Sequence, residues 1–213
     1  MPHYRRRRRL NPNFILACVA LVLVVLNVVL LLRRGGDSLP ADGVILPEYV
    51  EKEFLTMNPY SRPGTPLEEI NGVVIHYVGN PSTTAMANRN YFDSLALSGD
   101  TYASSHFIVG LDGEVVACVP LTEVAYASNT RNEDTVAIEV CHPDETGEFS
   151  PQTYERLTEL TAWLCETFEL DPQEDVIRHY DVTGKICPKF YVENPEAWEG
   201  LKKAVADKME PVA

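Results

Sequence analysis

Residues 14–32 read FILACVALVLVVLNVVLLL, 19 residues without a charge and with Asn27 as the one polar side chain. At the helical rise this run reaches roughly 28 Å, close to the hydrocarbon thickness of a bilayer. Two other readings compete with a membrane span. A buried core helix of such uniform apolarity would need apolar cover on every side. A cleaved signal peptide would carry a shorter apolar region ending in small residues, whereas this one ends in Leu30-Leu31-Leu32-Arg33-Arg34. The run is therefore expected to be an uncleaved transmembrane signal anchor. Five arginines, Arg5 to Arg9, precede it and two follow it. Their bias puts residues 1–13 in the cytoplasm as a basic tail and everything after residue 34 outside the cell.

Charge divides along the same line. The whole chain of 213 residues carries a formal −13. Residues 1–34 hold seven Arg and no acid, giving +7; the rest hold 11 basic and 31 acidic residues, giving −20. So acidic an outer part excludes nucleic acid as a partner, because phosphate binding needs Lys and Arg to displace counterions. With 45% apolar residues the chain can bury a core without disulfide staples.

Residues 33–60 are expected to form a stalk, punctuated by Gly35, Gly36, Pro40, Gly43, Pro47 and Pro59 and lacking apolar periodicity. Residues 61–208 are expected to form one folded domain, followed by a flexible tail over 209–213. Within that domain, NGVVIHYVGN at 71–80 reads as a strand covered on both faces, with Val74, His76 and Val78 on one side. Residues 85–97 have helical spacing at Met86, Asn90 or Tyr91, Leu95 and Leu97. Residues 105–120 read as two strands around Asp112-Gly113. In TVAIEVCH at 135–142, Val136, Ile138 and Val140 face one way and Ala137, Glu139 and Cys141 the other. A helix capped by Ser150 and started by Pro151 lines up Tyr154, Leu157, Leu160, Leu164 and Phe168; a last helix from Asn194-Pro195 buries Trp198, Leu201 and Val205. The pattern predicts an α/β fold, a mixed central sheet flanked by helices.

The chemistry-bearing residues sit at predicted strand ends. His76 interrupts an apolar strand, and His179 and Cys187 lie eight residues apart in RHYDVTGKICP. Two imidazoles and a thiolate make a three-ligand zinc site with a fourth position open. Spacing alone does not establish one, since a lone strand histidine is more often a core residue and no HExxH-type pair fixes the site. Glu139 is a charge in an apolar strand, costly unless it meets a partner.

Five segments together carry a resemblance: NPYSRPG at 58–64, GVVIHY at 72–77, ASSHFIVGLDGEV at 103–115, VAIEVCH at 136–142 and RHYDVTGKICP at 178–188. In this order they resemble the type 2 N-acetylmuramoyl-L-alanine amidases, the zinc-dependent family that includes phage lysozyme-type amidases and peptidoglycan recognition proteins. The likeness is strongest to the Gram-positive cell-wall branch. The resemblance implies Zn2+ held by His76, His179 and Cys187, Glu139 as general base and then acid, and Lys185 stabilising the oxyanion. It implies hydrolysis of the amide between N-acetylmuramic acid and L-alanine, with peptidoglycan as the substrate partner. One departure is Ser105, which stands where phage lysozyme-type members carry a tyrosine. Cys187 is present where recognition proteins without catalysis lack the ligand. The chain is expected to act as a monomer. The alternatives are a non-catalytic peptidoglycan-binding module, a thiol hydrolase with Cys187 as nucleophile and His179 as base, and cleavage elsewhere in the stem peptide. His106 and His142 are read as structural or cleft-lining, Cys118, Cys141 and Cys165 as core residues, and Asn80 and Arg89 as candidate substrate contacts.

Overall fold

The computed structural model describes residues 41–209. The expected anchor over 14–32, the cytoplasmic tail, the first part of the stalk over 33–40 and nearly all of the carboxyl-terminal tail lie outside them. Among the described residues no helix is long and apolar enough to cross a membrane.

Among the described residues six short strands make one sheet: β1 (Val50–Lys52), β2 (Val73–Ile75), β3 (Phe107–Val109), β4 (Val115–Ala117), β5 (Val136–Val140) and β6 (Val176–Arg178). Their order is β1-β4-β3-β5-β2-β6; β3 and β4 pair antiparallel and every other neighbour pair is parallel. Among the described residues five α-helices accompany them: α1 (Ala85–Ser98), α2 (Pro151–Phe168), α3 (His179–Thr183), α4 (Lys189–Glu193) and α5 (Pro195–Lys208).

Strand alternation sorts the core into two layers. Val73, Ile75, Phe107, Val109, Val136, Ile138 and Val140 pack with Leu157, Leu160, Leu164, Trp198 and Leu201 of α2 and α5. Ile108, Val116, Cys118 and Cys141 pack on the other face with Ala85 and Phe92 of α1. Helices thus cover both faces, as a largely parallel sheet requires. Cys118, Cys141 and Cys165 are buried free thiols in these layers.

Local chemistry sets the element ends. Ser150 Oγ accepts the Thr153 N–H at the start of α2, with Pro151 in the first turn, and Glu169 closes the helix in the left-handed region. Thr84 caps α1 through the Ala87 N–H. Gly113, at φ +83°, makes the turn between β3 and β4, where Gly110 N–H also donates to Glu114 O.

Two local expectations change. Helix α1 buries Ala85, Phe92 and Leu95, while Met86, Tyr91 and Leu97 face solvent, Leu97 at 95% exposure. The sequence offers two apolar phases in this helix, and the one containing Phe92 meets the sheet. In the segment expected as stalk, Val50–Lys52 joins the sheet edge beside β4, and Leu55 is buried with its N–H on Cys118 O. Only Val50 of the three strand residues is buried, so no periodicity announced the strand.

Candidate metal centre and active site

The site lies where β5, β2 and β6 end side by side. The β2–β5 register pairs Val74 with Ala137 and Ile75 with Ile138; the β2–β6 register pairs Ile75 with Arg178. Carried one residue further, the same registers set His76 beside Glu139 on one side and His179 on the other. The His76 N–H donates to Ile138 O, consistent with this step. Neighbouring strands are about 4.8 Å apart, so three residues remote in sequence form one row.

Cys187 reaches this row from the loop after α3. Tyr180 N–H donates to Cys187 O, tying the cysteine to the turn that starts at His179. Arg178 holds that turn through Asp181 Oδ1 and Oδ2 and through Tyr191 O. The Cys187–Pro188 peptide is cis. One ligand atom each from His76, His179 and Cys187 lies within 4.8 Å of the others, and all three residues are buried. His76 Nδ1 is 3.9 Å from Cys187 Sγ.

The imidazoles are oriented from behind. His76 Nε2 is 3.0 Å from Ser128 Oγ, and His179 Nε2 is 3.1 Å from Asn129 Oδ1. Asn129 Oδ1 only accepts, so His179 carries its proton on Nε2 and keeps the Nδ1 lone pair free. That Nδ1 is buried and has no partner among the described residues. A buried unpartnered nitrogen beside a second histidine and a thiol is what a metal would satisfy. The N, N, S donor set fits zinc.

Burial pushes His76 well below its usual range, with His179 and Lys185 adding to the shift, and it lowers His179 with help from Lys185. Both rings are therefore neutral, the state that can ligate. Burial pushes the Cys187 thiol up to about 12, with Glu139 adding and the Tyr77 backbone and Lys185 opposing. A metal must displace that thiol's proton on binding.

Glu139 stands in the same row with a buried, unpartnered Oε2. Burial raises its carboxyl to about 8 against the pull of Lys185. Lys185 itself is exposed on the loop between Gly184 and Cys187. Of the five residues singled out in the sequence, His76, His179 and Cys187 form one cluster, and Glu139 and Lys185 lie within electrostatic reach of it.

Other candidates have structural partners. His106 Nδ1 accepts the Ala137 N–H and its Nε2 donates to Glu123 O. Ser105 is buried with its hydroxyl on Phe107 O. Arg89 holds Glu53 O, Phe54 O and Asp93. Asn80 is exposed, and its backbone oxygen accepts the Thr83 hydroxyl. His142 stacks on Tyr77 at 5.1 Å, donates from Nδ1 to Asp144 O and leaves Nε2 buried without a partner. Sequence reasoning missed Ser128 and Asn129, which hydrogen-bond the two histidines. The polar SNTRNED stretch at 128–134 was the available signal, and it reads as an ordinary loop.

Helices on both faces of a mixed sheet, with a His/His/Cys cluster that could hold a metal ion and a carboxylate near its strand ends, define an α/β domain with a candidate metal centre. The N-acetylmuramoyl-L-alanine amidase family model matches residues 66–190, more than half of the sequence, and the chain belongs to that family. It is 32% identical over 176 residues to the N-acetylmuramoyl-L-alanine amidase BlyA of Bacillus subtilis (strain 168), covering 73% of this chain and 46% of the relative. It is 31% identical over 169 residues to the N-acetylmuramoyl-L-alanine amidase CwlL of Bacillus licheniformis, covering 73% and 46%. The chain thus spans about half the length of the curated relatives it matches. Among solved structures it is similar to a mutant endolysin from Bacillus subtilis, with a TM-score of 0.62 and 22% identity over 73% of this chain and 97% of that one. The Staphylococcus aureus hydrolase AmiA in complex with its ligand aligns with a TM-score of 0.55 and 15% identity over 81% and 92%. Both structures share the fold.

Proposed function

We propose that this chain is a membrane-anchored, zinc-dependent hydrolase that cuts the amide between the lactyl group of N-acetylmuramic acid and L-alanine in peptidoglycan. The observation that carries the reading is the row of His179, His76 and Glu139 closed by Cys187, with Nδ1 of His179 and Oε2 of Glu139 buried and unpartnered. His76, His179 and Cys187 are the residues that would hold zinc. When bound, the ion would supply Lewis acidity to polarise a carbonyl and acidify water.

The chain's own groups do the proton work. Glu139 Oε2 accepts a proton from the attacking water and delivers it to the departing L-alanine nitrogen. Its buried position suits a group that must change protonation twice in each turnover. Lys185 Nζ, on an exposed loop, closes over the oxyanion as the carbonyl becomes tetrahedral. Ser128 and Asn129 keep both imidazoles turned towards the substrate side.

The anchor over 14–32 fits the same reading. An outer part of −20 gains nothing from an anionic wall polymer. A tether instead raises the local concentration of enzyme at the membrane-proximal wall.

Full-length protein in detergent, incubated with purified cell walls, should release fragments with new amino-terminal alanine, identified by mass spectrometry. Strong chelation should abolish this and Zn2+ restore it. A product cut at another bond, or none, overturns the assignment. Loss of activity on thiol alkylation together with insensitivity to chelation would favour the thiol hydrolase, which the buried, protonated Cys187 disfavours.

A further inference from the structure

We propose that Tyr60, Tyr102 and Tyr126 form a stacking platform for the saccharide strand of the substrate, an extension that rests on the peptidoglycan reading above. Three segments remote in sequence bring these rings into one row. The Tyr60 and Tyr102 centroids are 5.4 Å apart with the rings tilted by 40°; Tyr102 and Tyr126 meet edge to face at 5.6 Å. Tyr102 keeps 62% of its surface exposed, and Tyr60 and Tyr126 remain partly exposed.

Rings left in water gain little from the hydrophobic effect, yet their backbones are pinned. Asn58 Oδ1 accepts the N–H groups of Tyr60 and Ser61. Ala103 N–H donates to Tyr60 O, Ser104 N–H donates to Tyr126 O, and Tyr126 N–H donates to Ser104 Oγ. The Tyr60 ring lies against Gly99, where a Cβ would come within 3.1 Å of it. The row is preorganised, which removes much of the ordering cost that a flexible surface pays on binding.

Its position joins it to the metal centre. Tyr126 precedes Ser128 by two residues, at most about 7 Å along the backbone. Ser128 and Asn129 are the residues that hold His76 and His179. The inner end of the row, Tyr126, is thus two residues from the pair that orients the histidines, a span short beside a saccharide strand several sugars long.

The chemistry selects a neutral sugar. A pyranose presents a face of C–H groups ringed by hydroxyls. The tyrosines present aromatic faces, and among the described residues nothing hydrogen-bonds their three hydroxyls. A charge of −20 outside the span disfavours an anionic chain and leaves an N-acetylated glycan unopposed.

The test uses full-length protein in detergent and a peptide-free hexamer of β-1,4-linked N-acetylglucosamine, titrated by calorimetry. The wild type should bind it. Tyr102→Ala should weaken binding on the order of threefold to tenfold, the range of a single aromatic contact, and Tyr102→Trp should restore it. In turnover, the ratio of kcat/KM on long glycan strands to kcat/KM on a single muramoyl peptide should fall by the same factor in Tyr102→Ala. No binding of the hexamer by the wild type, an unchanged affinity in Tyr102→Ala, or an unchanged ratio overturns the proposal. Failure of the amidase reading would show separately, as a wild type that cleaves no muramoyl peptide, and hexamer binding would still decide the platform.

Discussion

Replacing Ser128 by alanine tests whether the histidines are built as metal ligands. His76 is 2% exposed, and its Nε2 has Ser128 Oγ as hydrogen-bond partner at 3.0 Å. Ser128→Ala strands that nitrogen in a dry site at a cost of about 1–3 kcal/mol. It also frees the ring to carry its proton on Nδ1, the atom that faces Cys187 Sγ. Loss of such outer partners lowers metal affinity about 10- to 100-fold, or about 1.4–2.7 kcal/mol. Asn129→Gly makes the companion variant. Asn129 sits at φ +53°, where glycine is at ease, so the His179 hydrogen bond is lost without backbone strain. Zinc affinity, read by competition with a chromophoric chelator, should drop by a similar factor in both variants. Thermal stability of the metal-free protein should fall in Ser128→Ala and change less in Asn129→Gly. If both variants bind zinc within about twofold of wild type, the outer partners do not orient the ligands, and the argument from the orphaned Nδ1 fails.

Three further outcomes follow from the structure. Glu139→Gln should lower kcat by about 10²–10⁴-fold while leaving zinc affinity near wild type, because it removes a proton acceptor and not a ligand. Burial holds His106 at about 4, so the folded state favours its neutral ring. Its contribution is complete above about pH 6.5 and drains away as pH falls towards 4, about 3 kcal/mol in all. Unfolding free energies from pH 7 to 4 should therefore fall less steeply in His106→Asn than in wild type. Leu160→Ala removes a fully buried side chain from the interface of α2 with the sheet and should cost about 2–5 kcal/mol in denaturant unfolding, with zinc affinity retained in the folded fraction.

Much of this was legible in the sequence, for identifiable reasons. The α2 stripe of Leu157, Leu160, Leu164 and Phe168 has one apolar phase and a strong cap at Ser150, so both its face and its start could be read. Helix α1 has two apolar phases, and which one is buried depends on the strip of sheet below it, which no local pattern encodes. β1 was invisible because an edge strand of three residues buries only Val50. His76 and Glu139 drew attention because each interrupts an apolar strand, and His179 and Cys187 because RHYDVTGKICP carries the family resemblance; the structure brings His76, His179 and Cys187 together. Ser128 and Asn129 were not, because a serine and an asparagine in a polar turn look the same whether or not they hold a histidine.

The mixed sheet explains why a site so scattered in sequence can be compact. β5, β2 and β6 run parallel, so their carboxyl ends face one way, and the register aligns positions 139, 76 and 179. Each parallel pair must be joined by a long crossover, which is why the three residues lie tens of positions apart. Side-chain alternation then decides which face the row occupies. Glu139 and His76 point to the α1 side, while Tyr77 and His142, one residue after His76 and three after Glu139, stack on the opposite side against the α2 and α5 layer. A shift of one residue in the β2–β5 register would send Glu139 and His76 to opposite faces. The apolar runs Val73–Ile75 and Val136–Ile138, buried on both faces, resist that shift. The hydrophobic core of these strands therefore fixes the geometry of the candidate site as well as the fold.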